Sequence, residues 1–178
     1  TFEQPTSATA EAFRSLRTNL LFASREGTPK VLALTSALPS EGKSSSCLNL
    51  AAAFAQSNKR VLLIDADLRK PTVHKRLKLD NSVGLSNVLT GQVSPEAAIQ
   101  ESKIQGVSVI TAGPLSPNPA ELLSSERLQD LFDLAPETFD LIIGFIFTKV
   151  KTGGGYGYNY EYQYYYSYGA DRLPDKAG

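Results

Sequence analysis

The chain has 178 residues, 42% of them hydrophobic and 20% charged, which is enough for one α/β domain with its own core and hardly for two. Eighteen lysines and arginines balance eighteen aspartates and glutamates, so net charge points to neither nucleic acid nor an acidic surface as a partner. The apolar runs are far too short to cross a bilayer, nothing reads as a secretory leader, and a single cysteine excludes an internal disulfide and fits a reducing cytosol.

Residues 10–25 are expected to form an amphipathic helix, with Thr9 as N-cap and Phe13, Leu16 and Leu20 on one side. Glu11, Arg14 and Arg17 follow at i, i+3 and i+6, which places them in one arc beside that apolar stripe. On residue chemistry alone they read as an exposed face carrying an ion pair. Strand–helix alternation comes next: a strand over 30–36, a helix over 43–57, and strands over 60–65, over 107–112 and from Asp140 onward. Near-continuous apolar strands separated by helices predict an α/β fold, a mostly parallel sheet covered by helices on both faces. Cys47 falls inside the first of those helices and reads as a small buried hydrophobe. Residues 71–102 read as short helices and loops. Within them His74, beside Lys75, Arg76 and Lys78, reads as part of a solvated face. Pro117-Asn118-Pro119 breaks the chain before a helix over 120–134.

After Lys151 the composition changes. Gly153, Gly154 and Gly155 open a stretch that holds all eight tyrosines: Tyr156, Tyr158, Tyr160, Tyr162, Tyr164, Tyr165, Tyr166 and Tyr168. Glycine, asparagine and glutamine separate them and no aliphatic residue is present to bury, so a disordered aromatic tail is expected over 151–178, after a folded domain over 1–150.

Two clusters carry chemistry. Residues 37–44 match GxxxxGK[ST], with Ala37 in the first glycine position, between a predicted strand and a predicted helix. In such a loop the amides of Ser40, Glu41, Gly42, Lys43, Ser44 and Ser45 converge on phosphate oxygens, Lys43 adds a charge, and the Ser44 hydroxyl reaches Mg²⁺. The expected ligand is ATP or ADP with Mg²⁺. The plainer alternative is a lysine at an ordinary strand–helix turn. The strand over 60–65 ends in Asp65, with Asp67 two residues on. If the strand stays extended that far, both carboxylates project to one side, where they can hold Mg²⁺ and accept a proton from an attacking hydroxyl.

The GKS loop followed by residues 64–71, IDADLRKP, resembles the deviant P-loop ATPases, a group that includes partition and division-site ATPases. Three further features resemble the bacterial tyrosine kinases that control capsular and exopolysaccharide synthesis. Glu11-x-x-Arg14-x-x-Arg17 is similar to that family's ring-forming self-association motif. Residues 112–123, AGPLSPNPAELL, are similar to a loop near its active site and subunit contact, and the tyrosine cluster resembles its autophosphorylation tail. The resemblance implies a P-loop fold in which Lys43 neutralises phosphate charge, and Ser44, Asp65 and Asp67 serve the metal. Asp65 would be the general base, and the tail would be phosphorylated in trans. It also implies a membrane-anchored co-polymerase part or adaptor as partner, a tyrosine phosphatase, no nucleic acid, and a cytoplasmic position at the inner face of the membrane. Any tether would lie upstream of this sequence, which begins at Thr1 and holds no methionine.

One departure stands out. The family pattern has a third acidic motif on a strand ending in aspartate. Here residues 139–143, FDLII, resemble the start of that strand, and residues 144–150, GFIFTKV, resemble a later one. The aspartate is absent, and a βαβ unit needs about thirty residues or more. A segment is therefore expected between Ile143 and Gly144 in the native protein. Two other functions remain open at this level: a partition-type ATPase, and a catalytically inactive scaffold whose tail another kinase phosphorylates.

Overall fold

The apolar runs become strands because each is short, rich in β-branched or leucine residues and bounded by turn formers. The computed structural model describes residues 4, 6–23, 29–35 and 41–145. Within them β1 (Val31–Leu34), β2 (Val61–Asp65), β3 (Ile99–Glu101), β4 (Val107–Ile110) and β5 (Leu141–Phe145) form one sheet in the order β1-β5-β2-β4-β3. Pairs β1/β5, β5/β2 and β2/β4 are parallel. β3 is an antiparallel edge strand, paired Ile99 with Ile110 and Glu101 with Ser108. The sequence reading passed over β3, because three residues are too few to show a period of two.

The helices are α1 (Ala8–Phe22), α2 (Lys43–Ala55), α3 (Val73–Leu77), α4 (Leu85–Leu89), α5 (Pro95–Ala98), α6 (Pro119–Leu123) and α7 (Glu126–Thr138). The strand period of two sorts the core into two layers. Val61 and Leu63 join Val107, Val109, Leu141 and Ile143 against α2, where Leu48, Leu50 and Phe54 are buried. Leu62 and Ile64 join Ile110 and Ile142 against Leu85, Val88, Leu89 and Leu131 on the other face. Helices on both faces are thus as expected for a parallel sheet. From Cys47 to Phe54 the helix α2 is buried on every side, because α1 covers the side turned away from the sheet.

Two departures from the expected elements have a local cause. The N-cap of α1 is Ser7, whose hydroxyl accepts from the Ala10 amide at 3.2 Å; Leu21 faces the core, while Leu16 stays 40% exposed. The single helix expected over 120–134 is two helices. Ser124 and Ser125 donate their hydroxyls back to the carbonyls of Ala120 and Leu122, and Ser125 takes extended dihedrals that start α7. β2 ends at Asp65, as the apolar run predicts. β5 takes Ile143 and Gly144 as consecutive strand residues, Ile143 beside Leu32 and Leu63, Gly144 beside Ala33 and Ile64. Among the described residues no helix is long and apolar enough to cross a membrane.

Candidate active site

The strand alternation aims one carboxylate at the phosphate-loop helix. Asp65 follows Val61 and Leu63 at the period of two, so its side chain enters the α2 face of the sheet. It is 0% exposed. Its Oδ1 accepts the Asp67 amide at 3.2 Å, and its Oδ2 accepts the amides of Thr72 at 3.3 Å and Val73 at 3.2 Å. Burial pushes its pKa up to about 7, over the opposing pull of those amide hydrogen bonds. A carboxyl of that pKa can both take and hold a proton near neutrality.

The same contacts make Asp65 the cap of α3. Thr72 stands at the N-cap position, yet its hydroxyl makes no capping bond. It donates instead to Ser44 Oγ at 2.9 Å. Ser44 is the second residue of α2, behind Gly42 in a left-handed conformation (φ +86°) and Lys43 at the first helical position. An L side chain would strain that turn even though nothing crowds it. The N-terminus of α2, the end of β2 and the start of α3 are thereby tied into one cluster.

Asp67 departs from expectation. With β2 ended at Asp65, the chain turns, and the two carboxylates do not share a strand face. Asp67 Oδ1 accepts the amides of Arg69 and Lys70, at 3.3 and 3.0 Å, and Oδ2 has no hydrogen bond among the described residues. The described residues hold no group of three or more His, Cys, Asp or Glu able to bind a metal. A hydroxyl with one or two carboxylates is, however, the donor set by which Mg²⁺ is held together with phosphates and water, so Ser44, Asp67 and the remaining lone pair of Asp65 fit that ion.

The other predicted residues are scattered by comparison. Glu41 is exposed, Ser45 is half-buried with its carbonyl accepting from the Asn49 side-chain Nδ2, and Ser40 and the eight tyrosines lie outside the described residues. Cys47 is fully buried, Sγ 4.0 Å from the Gly144 carbonyl; burial first and the Asp65 charge second push its thiol up to about 12, so it is the inert hydrophobe expected. His74, on α3, is half-buried rather than solvated, with Nδ1 buried and without a hydrogen bond among the described residues. On α1, Arg14 pairs with Glu11 at 2.6 Å. Arg17 crosses to α2, donating to the Ala53 carbonyl at 2.7 Å and to the Ser57 hydroxyl near the negative end of that helix.

The acid that opens the last strand is at the wrong end for catalysis. Asp140 precedes β5 and accepts from the Arg60 amide at 2.8 Å and the guanidinium at 3.2 Å, which holds its carboxyl below the usual range. Beside Asp65 the strand presents Gly144 and Phe145. The segment over 112–123, in contrast, starts at the same sheet edge as Asp65, since Ile64 pairs with Ile110. Residues that sequence reasoning missed hold it there. The Asn81 side-chain amide exchanges two hydrogen bonds with the Gly113 backbone, at 2.8 and 3.0 Å. Thr111 donates to the carbonyls of Asp80 and Val83. Gly84 lies so close that an added Cβ would stand 2.3 Å from both the Gly113 nitrogen and the Thr111 carbonyl. The sequence signal for this clamp was the Asn-x-x-Gly turn spacing. Size alone would mislead: a groove of about 810 Å³ lined by Gln56, Lys59, Arg60 and Lys103 lies at the opposite end of the strands.

A parallel sheet, a GKS turn opening α2 and a carboxylate at the end of β2 are features shared with P-loop nucleotide-binding domains. The family description of the CobQ/CobB/MinD/ParA nucleotide-binding domain matches residues 32–166. The chain belongs to that family and, within it, groups with the bacterial tyrosine-protein kinase domains. It is 49% identical over 140 residues to Tyrosine-protein kinase YwqD of Bacillus subtilis, covering 79% of this chain and 59% of that protein. The chain therefore spans about three fifths of that relative's length. The kinase domain of Escherichia coli tyrosine kinase ETK superimposes with a TM-score of 0.78 at 39% identity, over 83% of this chain and 59% of that one. A cobyrinic acid a,c-diamide synthase from Mycobacterium smegmatis, with bound ATP analogue and magnesium, matches at a TM-score of 0.59 and 25% identity, over 67% of this chain and 52% of that one.

Proposed function

We propose that this chain is the catalytic part of an ATP-dependent protein tyrosine autokinase. The observation that carries the reading is Asp65: a buried carboxyl of pKa about 7, on the α2 face of the sheet and one residue bridge from Ser44. A tyrosine phenol has a pKa of about 10 and attacks poorly until a nearby base takes its proton. In the proposed step the phenol oxygen bonds to the γ-phosphorus of ATP, the bond to the ADP oxygen breaks, and the proton passes to Asp65. Lys43 sets its charge against the phosphates, Ser44 and Asp67 hold Mg²⁺ with Asp65 adjoining, and the turn amides around Ser40, Glu41, Gly42 and Ser45 orient the triphosphate. Bound Mg²⁺ would offset the phosphate charge.

The acceptors are the tail tyrosines Tyr156, Tyr158, Tyr160, Tyr162, Tyr164, Tyr165, Tyr166 and Tyr168, offered to a neighbouring subunit. The neighbours associate through the α1 face of Glu11, Arg14 and Arg17, and phosphorylation loosens them. The domain works at the inner face of the cell membrane with a membrane-anchored co-polymerase part or adaptor, is reset by a tyrosine phosphatase, and regulates capsular or exopolysaccharide synthesis and export. The resemblance of motifs set out above supports these assignments. A further segment, with the third acidic group, belongs between Ile143 and Gly144; support comes from the acid-free strand end beside Asp65.

Incubating the purified chain with labelled ATP and Mg²⁺, beside Lys43→Met, tests the reading. Label on tyrosine that falls at least about a hundredfold in Lys43→Met is expected. Phosphate release without labelled protein would replace the kinase with a partition-type ATPase, and neither signal would leave a scaffold.

A further inference from the structure

Thr72 stands where a helix N-cap should, and its hydroxyl is not used as one. An N-cap threonine ordinarily accepts from an amide in the first turn of its own helix. In this fold the Asp65 carboxylate takes the Val73 amide, and the Thr72 amide as well, at 3.2 and 3.3 Å. The Thr72 hydroxyl makes no capping bond of its own, and it lies 2.9 Å from Ser44 Oγ on α2, 28 residues earlier in the chain. Both residues are half-buried, which shields the pair from competing water.

We propose that Thr72 is a positioning residue for the cation half of the nucleotide site, acting on Ser44 through its hydroxyl while its backbone amide holds Asp65. The inference rests on the reading of Ser44 as the hydroxyl that ligates Mg²⁺. A serine oxygen that gives a lone pair to a cation still has one proton to place, and its strength as an acceptor falls. Thr72 Oγ1 is within reach to accept a hydrogen bond from that hydroxyl. The hydrogen bond then reverses, with Ser44 donating and Thr72 accepting, and it holds the Ser44 lone pair toward the cation. Valine has the shape of threonine without the hydroxyl, and serine has the hydroxyl without the methyl.

The test is calorimetric titration of the full chain with ADP, once in Mg²⁺ and once in EDTA, for wild type, Thr72→Val and Thr72→Ser. Thr72→Val is expected to lose about three- to tenfold of the affinity gained from Mg²⁺, the worth of one hydrogen bond, with metal-free ADP affinity unchanged. Thr72→Ser is expected to keep the Mg²⁺ gain. An undiminished gain in Thr72→Val, an equal loss in EDTA, or a Thr72→Ser variant as weak as Thr72→Val would each overturn the proposal. A wild-type chain that binds ADP with no gain from Mg²⁺ would overturn the Ser44 reading itself, and the role of Thr72 with it.

Discussion

Asp65 is a carboxyl whose burial costs stability and supplies reactivity. Its folded pKa lies near 7, against an ordinary 3.8. Between those values the folded state holds a proton that the unfolded state has released, so stability falls as pH rises through the window. In the metal- and nucleotide-free protein, the unfolding free energy measured in urea is expected to drop by about 2–3 kcal/mol from this group between pH 5 and pH 8. The Asp65→Asn variant, which cannot ionise there, should lack that part of the drop, and parallel slopes for the two proteins would count against a raised Asp65 pKa. The sequence marked Asp65 as a candidate base from its place at a strand end. Its protonation behaviour was not legible, because the desolvation comes from α2 and α3 folding over it.

At the scale of elements, β5 carries both a success and a tension. Its apolar run was legible, and it takes an interior place between β1 and β2. An interior parallel strand next to the phosphate loop is where an acidic side chain would face the ligand, at the carboxyl end of the sheet. Here that end presents Gly144 and Phe145, while Asp140 is engaged with Arg60 at the far end. If a segment belongs between Ile143 and Gly144, peptide mapping of the protein from its own cells will find Ile143 followed by residues other than Gly144. A peptide that joins the two directly would end that proposal and leave a site with a hydroxyl and two carboxylates. The helix expected over 120–134 failed for a local reason: serine hydroxyls competing for carbonyls do not disturb an apolar period, so the break at Ser124 and Ser125 left no trace in it.

For the whole molecule, the two-layer core fixes which edge is chemical. Parallel strands put Asp65, the start of α2 and the segment over 112–123 at one edge, and Arg60, Asp140 and the basic groove at the other. The α1 face lies apart from both, with Glu11 exposed, Arg14 half-buried and paired to it, and Arg17 already docked on α2. Self-association through this face would therefore draw on Glu11 and Arg14 first, and on Arg17 mainly as the brace that holds α1 in place. Each phosphate on a tail adds about −1.5 to −2 charges, and several on adjoining tails repel. Light scattering is expected to show a dephosphorylated sample larger than a phosphorylated one, with equal masses refuting the switch.

The fold class, the GKS loop, the carboxylate-bearing strand end and the tyrosine cluster were determined by the sequence alone. Each depends on spacing over a few residues: a period of two, a turn before a helix, an unusual local composition. What only the tertiary structure decided are relations between residues far apart in the chain. Asp65 caps α3 and the Thr72 hydroxyl reaches Ser44; Arg17 closes onto Ala53; Asn81 and Gly84 pin Gly113. Hydrogen-bond direction and desolvation are set by which elements pack together, and a linear pattern of apolar and polar residues carries no record of that.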